Sequence, residues 1–136
     1  MAGKFDMMGP IFEQIGHELG RIVGGDPDKT YLYAELQEGV VGAGVFKDEG
    51  NHVRYFDPSR ALIDLLVEAW ETEEPSKRWE VIEYEVLGTK FNAVFKFPDE
   101  LNPDDYEDER RDVALHARYG DKPVIYPPIP YPTRPL

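Results

Sequence analysis

The stretch RWEVIEYEVLGTKFNAVFKF, residues 78–97, limits what this chain can build more than any other. Its first half alternates: Trp79, Val81, Glu83 and Glu85 fall on one side, and Glu80, Ile82, Tyr84 and Val86 on the other. LGTK turns the chain. FNAVFKF then sets Phe91, Ala93, Phe95 and Phe97 on one face and Asn92, Val94 and Lys96 on the other. Two alternating runs across a short turn pair as an antiparallel hairpin, with Phe91, Ala93, Phe95 and Phe97 expected in the core.

The rest of the chain surrounds this hairpin with strands and helices. TYLYAELQ (30–37), VVGAGVFK (40–47) and HVRYF (52–56) are separated by turn signals at Glu38-Gly39 and KDEGN and read as an antiparallel meander. Gly42 and Gly44 leave one face of the second run bare, which marks a bulge or the close approach of another group. Ile11, Ile15, Leu19 and Ile22 recur at helical spacing, with Pro10 placed near the first turn and Gly24-Gly25 at the end. DPSRALIDLLVEAWETEE predicts a second helix, capped by Asp57, with Pro58 first inside and Leu62, Leu65, Leu66 and Ala69 as its buried face, widened by Ile63, Val67 and Trp70. A third begins at Asn102-Pro103, buries Val113, Ala114 and Ala117 with Tyr106, and stops at Gly120. Strand runs broken by helices without strict alternation predict an α+β fold. The expected architecture is one antiparallel sheet of about five strands, with helices on one face. It forms a single domain over residues 1–122, with a proline-rich tail, 123–136, lying along it.

Charge narrows the function. The chain has 136 residues and a formal net charge of −12. Such a surface repels nucleic acid and anionic membrane and attracts basic partners. The short basic pairs Lys77-Arg78 and Arg110-Arg111 are flanked by acids and make no phosphate-binding patch. There is no cysteine, which excludes disulfides, thiolate catalysis and Cys-ligated zinc. The N-terminal residues lack the continuous apolar core of a signal peptide, and no run reaches membrane-spanning length, so the expected location is cytoplasmic.

Motifs for chemistry are sparse. His17, His52 and His116 sit on different elements with no metal-ligand spacing. No phosphate loop, dinucleotide fingerprint or G-x-S-x-G elbow occurs. Glu83 and Glu85 share a strand face and are candidates for acid–base work in a small-ligand or enzymatic site if that face is buried; solvated, they are only its polar side. The glycine-bared face of residues 40–46 is the other candidate pocket wall. Pro127-x-x-Pro130 matches the minimal pattern read by proline-binding grooves; the plainer reading is a docked tail held by Val124, Ile125, Tyr126, Ile129 and Tyr131, and the alternative is a scaffold protein with a docking tail. No cofactor or metal is implied.

The acidic stretch PDELNPDDYEDERRD, residues 98–112, is the feature a folded domain needs least. Self-repulsion opposes it, so it is a candidate for a partner's use. Asp104, Asp105, Glu107 and Glu109 also suit the start of a helix. It lacks the spacing of a calcium loop. An acidic, non-catalytic surface on an α+β domain describes an interaction protein better than an enzyme.

KTYLYAELQEGVVGAGVFKDEG resembles the aromatic-rich first hairpin of the YezG-like immunity proteins. RALIDLLVEAWETEE follows it as in that family, and RWEVIEYEVLGTKFNAVFKFPDELNPDDYEDERR resembles the family's tryptophan-led strand, turn, Phe-containing strand and acidic segment running into a helix. The likeness covers roughly residues 8–120, by order of elements more than by identity, and leaves the tail outside. It implies a cytoplasmic bacterial antitoxin that binds a polymorphic toxin domain, often a nuclease. In that role Asp99, Glu100, Asp104, Asp105, Glu107, Asp108 and Glu109 would stand in for phosphates on the toxin's basic surface, with Tyr106 as an aromatic anchor.

Overall fold

A computed structural model describes residues 4–127 of the chain, with side chains from residue 9 onward. The elements run α1 (Lys4–Ile22), β1 (Thr30–Gln37), β2 (Val40–Asp48), β3 (Val53–Phe56), α2 (Arg60–Glu71), β4 (Val81–Leu87), β5 (Lys90–Lys96), α3 (Glu107–Tyr119) and β6 (Val124–Ile125). The six strands form one sheet in the order β5-β4-β1-β2-β3-β6. All pairings are antiparallel except β3 with β6. The fold is α+β, as the run of elements predicts.

Two-residue turns set the registers of the β1–β2 and β4–β5 hairpins. Gln37 pairs with Val40 across Glu38-Gly39, and Leu87 with Lys90 across Gly88-Thr89. Gly39 and Gly88 carry φ of 75° and 63°, which a side chain would resist. β1 lies between β2 and β4 and is buried from Thr30 to Leu36.

The sequence leads one to expect all helices on one face of the sheet; the structure divides them between both faces. Leu32, Ala34 and Leu36 of β1 pack with α1 and α2 through Ile11, Ile15, Leu19, Leu62, Leu66 and Ala69. Tyr31 and Tyr33 point the other way, into a smaller cluster with Phe46, Val53, Val81 and Leu115 of α3. The sheet is the middle of three layers because its central strand carries large side chains on both faces. A sixth strand adds to the five expected: Val124 and Ile125 pair with Val53 and Arg54, and Tyr126 packs its ring against Tyr55 at 5.1 Å. Residues 128–136, including Ile129, Pro130 and Tyr131, lie outside the described residues.

Several local expectations are corrected. Pro10 is inside α1, not in its first turn, with its ring exposed on the solvent side, where one lost backbone bond is tolerated best. Ser59, not Asp57, caps α2: its Oγ accepts the Leu62 N–H at 3.1 Å. Asn102-Pro103 does not start α3. The Asn102 side chain instead closes a turn by accepting the Asp104 N–H at 3.0 Å, and α3 begins five residues later. Its buried side is Leu115 with Ala114 and Tyr119, whereas Tyr106 and Val113 are 75% and 70% exposed and Ala117 is exposed too. Phe91 and Phe97 are exposed as well, because β5 is an edge strand at the rim of the helix layer; Ala93 and Phe95 are partly buried. Trp79 leaves the side it shares in strict alternation with Glu83 and Glu85. It precedes β4 and packs beside Phe95 on the α1–α2 side.

Candidate partner-binding face

A charged side chain in the most buried strand positions the acidic segment. Glu35 on β1 is 5% exposed and points toward α3. Arg110 reaches it from the first turn of that helix and donates from Nε at 2.8 Å and from its second amino group at 2.6 Å, a two-point pairing of guanidinium and carboxylate. The Tyr33 hydroxyl donates to the same carboxylate at 2.6 Å. Burial by itself would push the Glu35 carboxyl up; the Arg110 and Tyr33 hydrogen bonds and the Arg110 charge outweigh it and hold it below the ordinary range. Burial and the bond to Glu35 push the Tyr33 phenol up, and the bond to Glu35 raises Arg110 in turn.

The other amino group of Arg110 turns outward. It donates to the main-chain carbonyl of Asp105 at 2.6 Å and lies 3.4 Å from that of Asn102. One side chain thus ties the sheet, the start of α3 and the loop before it together.

That loop and first turn carry the sequence-derived site residues, and the structure sorts them. Asp99, Glu100, Asp104, Asp105, Asp108 and Glu109 are exposed, and so is Tyr106. Glu100 also accepts the Phe97 N–H at 3.0 Å, closing the short turn that holds Asp99. Glu107 does not join the outward set. Its carboxylate lies against β2 at Gly42, where any Cβ would collide with it. Burial and the nearby Glu35 charge raise its pKa, with Arg111 opposing them. The glycine-bared face of β2 is therefore filled: Gly42 leaves room for Glu107, and Gly44 lies beneath the rings of Phe46 and Tyr55.

Glu83 and Glu85 lie on the α3 side and are each answered. The Tyr31 hydroxyl donates to Glu83 at 2.6 Å, and Lys96 stands 3.7 Å from its other oxygen. Arg118 pairs with Glu85 and lays its guanidinium 4.4 Å from the centre of the Tyr31 ring. Beside them, between α3 and the β4–β5 hairpin, opens a cleft of about 700 Å³ that reaches Glu83 and Tyr33 at its floor and Glu100, Asp105 and Glu109 at one end. Among the described residues no group of three or more His, Asp or Glu side chains could hold a metal ion.

Sequence reasoning missed Glu35, Arg110 and Arg118. The signal for Glu35 was present: a carboxylate in an otherwise apolar central strand needs a buried cation. Nothing in the sequence singled out Arg110 over Arg111. No protein-family model and no curated protein matches this chain.

Proposed function

We propose that this chain is an immunity-type protein that binds and neutralises a basic toxin domain, of the nuclease kind, through the acidic segment from Asp99 to Glu109. One observation carries the reading. Apart from Glu107 the acids of the segment face solvent, while its two arginines are largely withdrawn: Arg110 is committed to Glu35, and Arg111, with 22% of its side chain exposed, reaches only Asp108 of the segment, at 4.0 Å. The segment therefore offers a partner negative charge that its own cations offset only at Asp108. A surface built to grip phosphates carries the complementary charge, and such pairing accelerates encounter and fixes register. Tyr106, exposed among the acids, is the aromatic contact of this face. The YezG-like order of elements supports the same reading and adds a bacterial, cytoplasmic setting. Among the described residues no helix is long and apolar enough to cross a membrane.

The test is capture of partners by the tagged chain from a lysate expressing its neighbouring gene, at low and high salt, with mass spectrometry of the eluate. A single stoichiometric basic partner, released by salt, is expected. Reversing Asp104, Asp105 and Asp108 together to lysine should weaken that capture at least about tenfold while the fold survives, since Arg110 is held by main-chain carbonyls there and not by these side chains. Undiminished capture by the triple variant would remove the acidic segment as the interface.

A further inference from the structure

The cleft beside α3 joins carboxylates of the acidic segment to apolar surface that the open segment lacks. Its walls include apolar surface, Leu101 and Ala114 with the exposed Val113 and Ala117, and its rim carries carboxylates. A volume of about 700 Å³ is ample for a large side chain. The charges lining it are not equivalent. Arg110 is spent on Glu35, Arg118 on Glu85, and Lys96 stands against Glu83. Among the described residues, no side-chain cation is paired with Asp105 or Glu109, which face the cleft, and Glu100 engages only a backbone N–H. The unspent charge is negative, beside the apolar strip of Leu101, Val113, Ala114 and Ala117 in a cleft otherwise lined by polar side chains.

We infer that this cleft is a receptor for one arginine side chain of the basic partner, its aliphatic stem lying on Val113 and Ala117 and its guanidinium at Asp105 and Glu109. This rests on the reading of the acidic segment as a partner-binding face and gives that face its specific contact. Arginine fits better than lysine. Its flat, weakly hydrated guanidinium can lie on apolar surface and still donate to two carboxylates, whereas an ammonium must shed tightly held water. Long-range attraction to the exposed acids brings a basic partner near; an arginine in a walled cleft fixes how it sits.

The experiment uses the full chain and N-acetyl-arginine amide, followed by amide chemical shifts. Saturable shifts at residues 101, 105, 109, 113 and 117, with N-acetyl-lysine amide several-fold weaker and neutral N-acetyl-norvaline amide weaker still, are the expected result. Shifts that stay linear with concentration, or that norvaline amide reproduces, overturn the pocket. Val113→Trp should fill the cleft from an exposed position and weaken arginine-amide binding about tenfold with all carboxylates kept. Ala117→Phe is the second filling variant should Val113→Trp lose its dispersed spectrum, and wild-type affinity in a folded filling variant overturns the pocket. The same titration with deca-lysine reports the open acidic segment separately, through salt-sensitive shifts at 104 and 108. Deca-lysine shifts there with no response to arginine amide overturn the pocket and leave the acidic face standing. Saturable arginine-amide binding without them supports the pocket and counts against the acidic face.

Discussion

On the α1–α2 side of the sheet, Leu32, Ala34 and Leu36 pack among Ile15, Leu19, Leu62 and Leu66; on the α3 side, the alternate residues of the same strand, Tyr31, Tyr33 and Glu35, end in hydroxyls and a carboxylate that meet Glu83 and Arg110. Apolar burial is strong but without direction, so it holds α1 and α2 down without dictating their placement to within a hydrogen bond. The Glu35–Arg110 pair is directional. It fixes where α3 starts, and through the Asp105 carbonyl it fixes the loop before the helix. The face that does less to exclude water does more to aim the acidic segment.

Removing one member of that pair is the most severe way to break the contrast. Glu35→Ala leaves Arg110 facing a site that is 5% exposed in the native chain, and a buried pair broken on one side costs about 3–5 kcal/mol. Urea unfolding measures the loss. Amide exchange should show that residues 98–119 lose protection before the sheet does. Replacing both partners by leucine should cost less than Glu35→Ala alone, since no charge is stranded. A single-variant loss under about 1 kcal/mol would mean that the pair behaves as a solvent-screened surface contact. The apolar counterpart is Leu66→Ala, at about 2–5 kcal/mol, with protection falling together across α1, α2 and the sheet.

Two glycines of β2 sharpen the contrast within the α3 side itself. A Cβ on Gly44 would stand 3.1 Å from ring carbons of both Phe46, which is fully buried, and Tyr55, so a ring must shift and Gly44→Ala should cost about 1–3 kcal/mol in urea unfolding. A Cβ on Gly42 would meet only the end of Glu107, which can swing outward, and Gly42→Ala should cost less than about 1 kcal/mol. Equal losses would mean that Glu107 is as fixed as the rings.

The sequence made the hairpin and the helical stripes readable because each depends on local spacing: Ile82, Tyr84 and Val86 face one way, and Ile15 and Leu19 share a stripe, as their periods require. It did not show which side of the sheet α3 takes. TYLYAEL is buried on both faces, so it lacks the polar–apolar alternation that would reveal a solvent side. The hairpin pattern gave the side of Phe91 and Phe97 but not the absence of a neighbouring strand beyond β5, which only the topology decides. Asn102-Pro103 was misleading because the same dipeptide opens helices and closes side-chain turns; the pull of Arg110 toward Glu35, 75 residues away in sequence, selects the turn. The acidic face was legible as composition. The inward rotation of Glu107 was not, because it depends on the bare backbone at Gly42.

Glu107 supplies the smallest effect and one whose sign is informative. Its folded-state pKa is raised, chiefly by burial and then by the Glu35 charge, so ionised Glu107 works against the fold at neutral pH, and that penalty fades as pH falls through the raised value. Glu35 behaves oppositely: its lowered pKa gives stability that is present above the ordinary glutamate range and lost as pH falls through the folded value. Glu107→Gln keeps the shape and removes the charge. It should stabilise the chain at neutral pH by less than about 1 kcal/mol, since the group is partly exposed and screened. The gain should vanish in mild acid, where the native glutamic acid is neutral as well. Urea midpoints of the two proteins at both pH values measure it. A glutamine variant less stable at neutral pH would show that the Arg111 charge, and not burial, governs this carboxylate, and the α3 side of the sheet would then hold a further working ion pair beside Glu35–Arg110 and Glu85–Arg118.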